Sequence, residues 1–147
     1  MERIRTTEVT AHIGQRIRVA GWLHSLRRLG GINFLLIRDG WGLIQAVAET
    51  EEEIAVLLPE SVGTESIIVV EGVVNRETQA PGGVELHNLK IELLNPVSET
   101  PPISLNKRKL NAQPGTLLDH AVVTNRHPLR RATLRLSAGI IDRKSVV

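Results

Sequence analysis

Five short strand-like runs, some alternating with period two and several bounded by glycine, proline or asparagine signals, fall within the first 95 residues. No other feature of the chain limits its fold so strongly. In residues 16–26, Ile17, Val19 and Leu23 fall on one side and Arg16, Arg18, Trp22 and His24 on the other, the period of a half-buried strand. Gly30-Gly31 breaks this run and Ile32 to Arg38 (INFLLIR) starts a second; Asp39-Gly40 is a turn signal, and 42–48 (GLIQAVA) returns as a third. Residues 66–74 are rich in β-branched side chains. After the Ala80-Pro81-Gly82-Gly83 turn, 84–94 alternates again through Val84, Leu86, Leu89, Ile91 and Leu93. Between the third and fourth runs, 51–58 (EEEIAVLL) sets three acids ahead of an apolar face. Acids suit the positive end of a helix dipole, and Pro59 closes the segment, which predicts a short helix.

Three strands, a short helix and two more strands is the order of the OB-fold, a five-stranded, partly open Greek-key barrel whose second and third strands form the usual binding face. The expected class is therefore all-β, although an unrelated barrel or sandwich would share the strand pattern. Trp22, Phe34 and Trp41 are the only aromatics, so Val, Ile and Leu must build the core and an aromatic outside it has another task. The absence of cysteine excludes disulfides and thiolate metal sites and fits a reducing cytosol, so a cytoplasmic setting is expected. No run is long enough to cross a bilayer and no signal-peptide pattern opens the chain, so no membrane association is expected.

The net charge of +2 hides segregation along the chain. Residues 1–39 hold seven Arg against three acids; 49–99 hold eleven Glu against Arg76 and Lys90; 107–147 hold nine Lys or Arg against Asp119 and Asp142. Basic patches on a balanced protein are compatible with phosphate binding, and equally with solvated faces. Enzyme chemistry has little support. No Gly-rich phosphate loop is present, and His12, His24, His87, His120 and His127 lie too far apart to suggest a metal site.

Beyond residue 95 the texture changes. Asn95-Pro96 and Pro101-Pro102 read as linker, Lys107-Arg108-Lys109 as a basic cluster and Pro114-Gly115 as a turn; a helical pattern begins at Pro128, a residue suited to a first turn. The expected division is a barrel over 1–97, a linker or hinge over 98–127 and a helix over 128–147. Leu129, Ala132, Leu136 and Ile140 give that helix an apolar stripe, which must pack on the barrel, pair with another copy or belong to a missing domain.

Binding is better supported than catalysis. On the second strand Phe34, Leu36 and Arg38 share a face; on the third, Leu43 and Gln45 do. Phe34 and Gln45 can thus lie together on neighbouring strands with Arg27 and Arg28 at the rim. An aromatic ring, an amide with donor and acceptor, and guanidinium groups suit an unstacked base and its phosphate. The plainer reading makes Phe34 a core residue and Gln45 an ordinary surface amide.

Gly21-Trp22, then 27–35 (RRLGGINFL) with 38–45 (RDGWGLIQ), closely resembles the anticodon-binding domain of aspartyl-tRNA synthetases. The likeness continues through 70–74 (VEGVV), 79–86 (QAPGGVEL), Asn106-Lys107 and 117–120 (LLDH), and it is nearest the shorter, archaeal-type branch. It implies an OB-fold holding a tRNA anticodon loop. Phe34 would stack on the central base, Gln45 would bond its edge, and Arg27 would contact base or backbone. Arg28, Glu85, His24 and Pro81 complete the implied set. Departures exist: Arg28 stands where the family usually has an acid, and Ala121 and Thr124-Asn125-Arg126 depart from its hinge pattern. His24 and Pro81 replace the Trp and Lys of strict enzymes, which resembles members that charge both tRNA-Asp and tRNA-Asn. The resemblance also implies a homodimeric parent whose class II catalytic domain, absent from this chain, uses ATP and Mg; alone, these residues would hold no cofactor and catalyse nothing. An asparaginyl-tRNA synthetase domain, or a stand-alone RNA- or protein-binding barrel, are the alternatives, and self-association through 128–147 remains open.

Overall fold

The computed structural model describes residues 2–97, 99 and 101–144. The chain divides into two units, Met1–Thr100 and Pro101–Val147. In the first, β1 (Arg16–Leu29), β2 (Ile32–Arg38), β3 (Leu43–Ala48), β4 (Ile67–Arg76) and β5 (Val84–Asn95) close into a barrel in the spatial order β1-β2-β3-β5-β4, with β4 returning to β1. The five strands pair antiparallel with one another except for a short parallel contact, Gln45 opposite Glu85 and Ala46 opposite Leu86. This is the all-β OB-type barrel expected, with each predicted strand present.

β1 has two neighbours: Arg16 to Trp22 pair with β4 and Trp22 to Leu29 with β2. To serve both it must bend. Gly21 sits at the bend, where an added Cβ would lie 2.3 Å from the carbonyl oxygen of Arg38, so no larger residue fits without moving backbone. Two residues on, Leu23 faces Ile37 but Ser25 faces Leu36, which makes His24 the extra residue of a β-bulge. The alternation that put Ile17, Val19 and Leu23 inward turns over here: Leu26 packs on the core, and Ser25 and Arg27 point outward with Phe34. Straight alternation from Leu23 would have pointed Arg27 inward.

The interior is aliphatic, as the shortage of aromatics requires. Val19, Leu35, Ile37, Ile44, Ile68, Val70 and Leu86 are among its fully buried members, and no aromatic belongs to the cluster. Each such side chain contributes roughly 1.5–3 kcal/mol on leaving water. The predicted helix is one 3-10 segment, Glu52–Leu57, whose Ile54 and Leu57 are buried in that core. Its acids do more than face the helix dipole: the Glu53 carboxylate accepts from the backbone N–H of Glu49 (2.8 Å), Thr50 (3.2 Å) and Leu89 (2.7 Å), tying the segment to β5.

The Asp39-Gly40 turn is held by its own carboxylate. Asp39 accepts hydrogen bonds from the N–H groups of Trp41 (2.7 Å) and Gly42 (2.8 Å), and from the N–H (2.9 Å) and hydroxyl (2.7 Å) of Thr6. Burial alone would raise its pKa, but these four bonds outweigh burial and hold it below its ordinary value. The Thr6 contacts also anchor the amino-terminal stretch, where Ile4 donates to the Arg18 carbonyl and the Arg5 guanidinium lies 4.6 Å over the ring of Trp41.

Arg38 is 1% exposed, although it lies on the outer side of β2. Its Nη2 donates to both oxygens of Glu65 (2.7 and 2.6 Å), its Nη1 lies 3.0 Å from His24 Nδ1, and its guanidinium sits 5.4 Å over the Trp22 ring.

The second unit contains α1 (Pro114–Asp119), α2 (Ala121–Thr124) and α3 (Pro128–Lys144). The stretch read as a linker over 98–127 therefore includes two short helices. Side chains fasten them: Thr124 Oγ1 donates to the Leu117 carbonyl (2.9 Å), and buried His127 donates from Nε2 to the Lys107 carbonyl (2.9 Å) while Nδ1 accepts from Leu129 N–H. α3 begins at Pro128 as expected, and Leu129, Leu136 and Ile140 of its stripe are exposed.

Candidate nucleic-acid interface

The outer face of β2 and β3 carries the candidate site. Phe34 lies opposite Arg27 on β1 and Val47 on β3, while Gln45 lies opposite Leu36 on β2 and Glu85 on β5. Phe34 is half-buried and outside the aliphatic core, which settles the choice between core and surface. Phe34 and Gln45 line two adjoining hollows. The larger, ≈ 520 Å³, runs between them and Glu77, Gln79, Glu85 and His87 of the β4–β5 side; the smaller, ≈ 260 Å³, opens towards Ser25, Arg27 and Leu29 of β1. The larger volume lies within the common range for small-ligand sites and the smaller just below it.

Charge divides the groove. Arg27 is exposed at one end; Glu49, Glu77 and Glu85 gather at the other. A phosphate is favoured beside Arg27 and repelled from the carboxylates, whereas a base edge carrying N–H donors is welcome there. Glu85 is 8% exposed and doubly engaged: Gln45 Nε2 donates to one oxygen (2.8 Å) and His87 Nε2 to the other (2.7 Å). The other His87 ring nitrogen, Nδ1, lies 3.3 Å from Glu49.

The seven residues singled out in the sequence do not all meet. Phe34, Gln45, Arg27 and Glu85 line the groove. Arg28 turns to an exposed ion pair with Glu51 of the β3–β4 connection. Pro81 is exposed in the Pro81–Gly83 turn, where Gln79, not Pro81, lines the hollow. His24 stands at the other end of the face, against Arg38. His87 and Gln79 were missed. The signal for His87 was available: it lies two residues after Glu85 on one strand and so shares its face. Gln79 sits in a turn, where periodicity gives no direction. Among the described residues no group of three or more His, Asp or Glu side chains is arranged to hold a metal ion, and no helix is long and apolar enough to cross a membrane.

Residues 17–94 match the tRNA anticodon family, described as an OB-fold nucleic acid binding domain. An aspartate–tRNA(Asp/Asn) ligase of Thermus thermophilus is 36% identical over 139 residues, 95% of this chain and 31% of the relative. An asparagine–tRNA ligase of Pyrococcus horikoshii is 34% identical over 149 residues, 96% of this chain and 32% of the relative. The crystal structure of asparaginyl-tRNA synthetase from Pyrococcus horikoshii complexed with asparaginyl-adenylate superposes with a TM-score of 0.79 over 96% of this chain and 32% of that one. The chain thus spans about a third of the length of the curated relatives it matches. With the closed five-strand order, the groove across β2 and β3 and a family match that runs from β1 to β5, the chain belongs to the OB-fold nucleic acid binding domains of the tRNA anticodon family.

Proposed function

We propose that this barrel holds the anticodon loop of tRNA-Asp, and of tRNA-Asn as well, for a ligase that attaches aspartate. The observation that carries the reading is the shared groove of Phe34 and Gln45. The Phe34 ring offers a stacking face to the central anticodon base, Gln45 offers a donor and an acceptor to its edge, and exposed Arg27 offers its charge to a neighbouring phosphate. Catalysis, with ATP and Mg, belongs to a class II domain outside this chain, in a homodimeric cytoplasmic enzyme. Support for that larger setting comes from relatives about three times as long. The exposed apolar residues of α3 are suited to packing against such a domain or a second copy.

Relaxed selectivity is the finer part of the proposal. The aspartate and asparagine anticodons differ in the third base, and a domain reading the first two treats them alike. Pro81 has no donor to reach a base edge, and the Nδ1 of His24 is turned to Arg38. The Thermus thermophilus relative is itself named for both tRNAs. An asparaginyl parent is the second reading, because relatives of that name match at nearly the same identity, 34% and 35%.

The test is a titration of anticodon stem-loops at one fixed salt concentration. Phe34→Ala is expected to weaken binding by roughly 1–3 kcal/mol, the worth of one stacked base; unchanged affinity in a folded variant removes the reading. The aspartate and asparagine stem-loops are expected to bind within about tenfold of each other, or 1.4 kcal/mol. A preference of about a hundredfold would remove the relaxed-selectivity part alone.

A further inference from the structure

The polar atoms at the acidic end of the groove form a directed chain. Glu85 and His87 project from the same face of β5, and Glu85 lies opposite Gln45 in the parallel pairing with β3. Gln45 Nε2 donates to Glu85 Oε2 at 2.8 Å, and His87 Nε2 meets Glu85 Oε1 at 2.7 Å. An ionised carboxylate only accepts, so the amide nitrogen of Gln45, not its oxygen, must face Glu85, and His87 must carry its proton on Nε2. With the Glu85 side chain 10% exposed and each oxygen engaged, the carboxylate has little freedom to turn. The far ring nitrogen, Nδ1, lies 3.3 Å from a Glu49 oxygen, a contact that adds to this hold only when Nδ1 carries a proton as well.

A primary amide can otherwise rotate by half a turn at little cost, because its terminal torsion is broad and two-fold. That freedom matters for reading a base. Uracil presents an N3–H donor beside an O4 acceptor on its Watson–Crick edge; cytosine presents an N3 acceptor beside an N4–H donor. One amide orientation matches the first order and the flipped amide matches the second. A Gln45 that is free to flip would satisfy both pyrimidines, whereas a pinned Gln45 sets donor against donor and acceptor against acceptor for one of them.

We propose that His87 is a positioning residue for anticodon reading: through Glu85 it sets which way round Gln45 presents its amide, and so which donor–acceptor order the groove accepts. This rests on the reading of the groove as the anticodon site. His87 itself need not touch RNA. Its effect falls on the choice between bases, while affinity for the matched base comes chiefly from Phe34 stacking and phosphate contacts.

The experiment uses the 147-residue chain and two anticodon stem-loops that differ only in uracil or cytosine at the central position. The unmodified chain is expected to favour uracil by roughly tenfold or more, the scale of one well-read base. His87→Ala is expected to bring the two stem-loops within about threefold of each other, and His87→Gln, which restores a donor to Glu85, is expected to recover most of the preference. A preference unchanged in His87→Ala, or an equal loss on both stem-loops, overturns the proposal. A second readout needs no RNA: slow rotation about the amide C–N bond keeps the two side-chain amide protons of Gln45 distinct in any state, and the one donated to Glu85 should lie further downfield than in a solvated amide. In His87→Ala that proton should move towards the solvated position, and an unchanged downfield shift overturns the positioning role. If neither stem-loop outcompetes a hairpin with a scrambled loop, the anticodon reading has failed, and the amide resonances alone decide whether His87 orients Gln45.

Discussion

Phe34 and Arg38 stand on the same outer face of β2, one lining an open groove and the other sealed at 1% exposure. Strand alternation places them on one face with Leu36 between them; what lies over each differs. Above Arg38 the β3–β4 connection delivers Glu65, held there in a left-handed backbone conformation (φ 74°), and β1 brings Trp22 and the bulged His24. Phe34 meets no such cover, only the short β1–β2 hairpin and the β4–β5 turn at the groove's edges. One end of the face is thereby structural and the other is available for binding. A guanidinium on an outer strand face is no sign of a phosphate contact when a carboxylate is delivered over it.

This contrast can be broken most directly at Glu65. Glu65→Ala leaves a buried, uncompensated guanidinium and is expected to lower unfolding free energy by about 3–5 kcal/mol in urea denaturation. Phe34→Ala is expected to cost the fold no more than about 1 kcal/mol, its main loss being in RNA affinity. Equal destabilisation by the two would erase the distinction between the ends.

Asp39 sharpens the comparison at the structural end. Its folded-state pKa is lowered, so its stabilising contribution is complete above the unfolded value of about 3.9 and disappears as pH falls from there through the folded value. Urea midpoints measured between about pH 5 and pH 2 should fall for the unmodified chain with a component that Asp39→Asn lacks. At neutral pH the same substitution, which weakens charge-assisted bonds to Thr6, Trp41 and Gly42, should cost about 2 kcal/mol. An identical acid profile in the variant would assign the acid lability to other carboxylates.

The smallest expected effect separates two adjacent arginines at the groove's own end. Arg27 lines the groove, whereas Arg28 is paired with Glu51 at the surface, with both side chains more than half exposed. Arg27→Ala should reduce the slope of log affinity against log salt by about one, the signature of a lost phosphate contact. Arg28→Ala should leave that slope unchanged and alter stability by less than about 0.5 kcal/mol. A slope change at Arg28 would place the phosphate path on the other side of the hairpin.

Much of the architecture was readable from local pattern, because each barrel strand buries one face and so must alternate. The order of strands, the helical segment after β3 and the placement of Phe34 with Gln45 all follow from that period together with Gly, Pro and Asp turns. The same pattern put Arg27 at the rim and the family resemblance added Glu85; both line the groove. Other features depend on contacts between residues far apart in the chain, which no periodicity encodes. The bulge at His24 reverses the inward and outward sense of β1 and alone turns Arg27 to the Phe34 side. Glu65 reaches Arg38 across 27 positions, Thr6 reaches Asp39 across 33 and Glu85 reaches Gln45 across 40. Alternation can say that a side chain faces outward; whether that outside is solvent, a carboxylate or a groove is decided only when the barrel closes and brings distant loops over it.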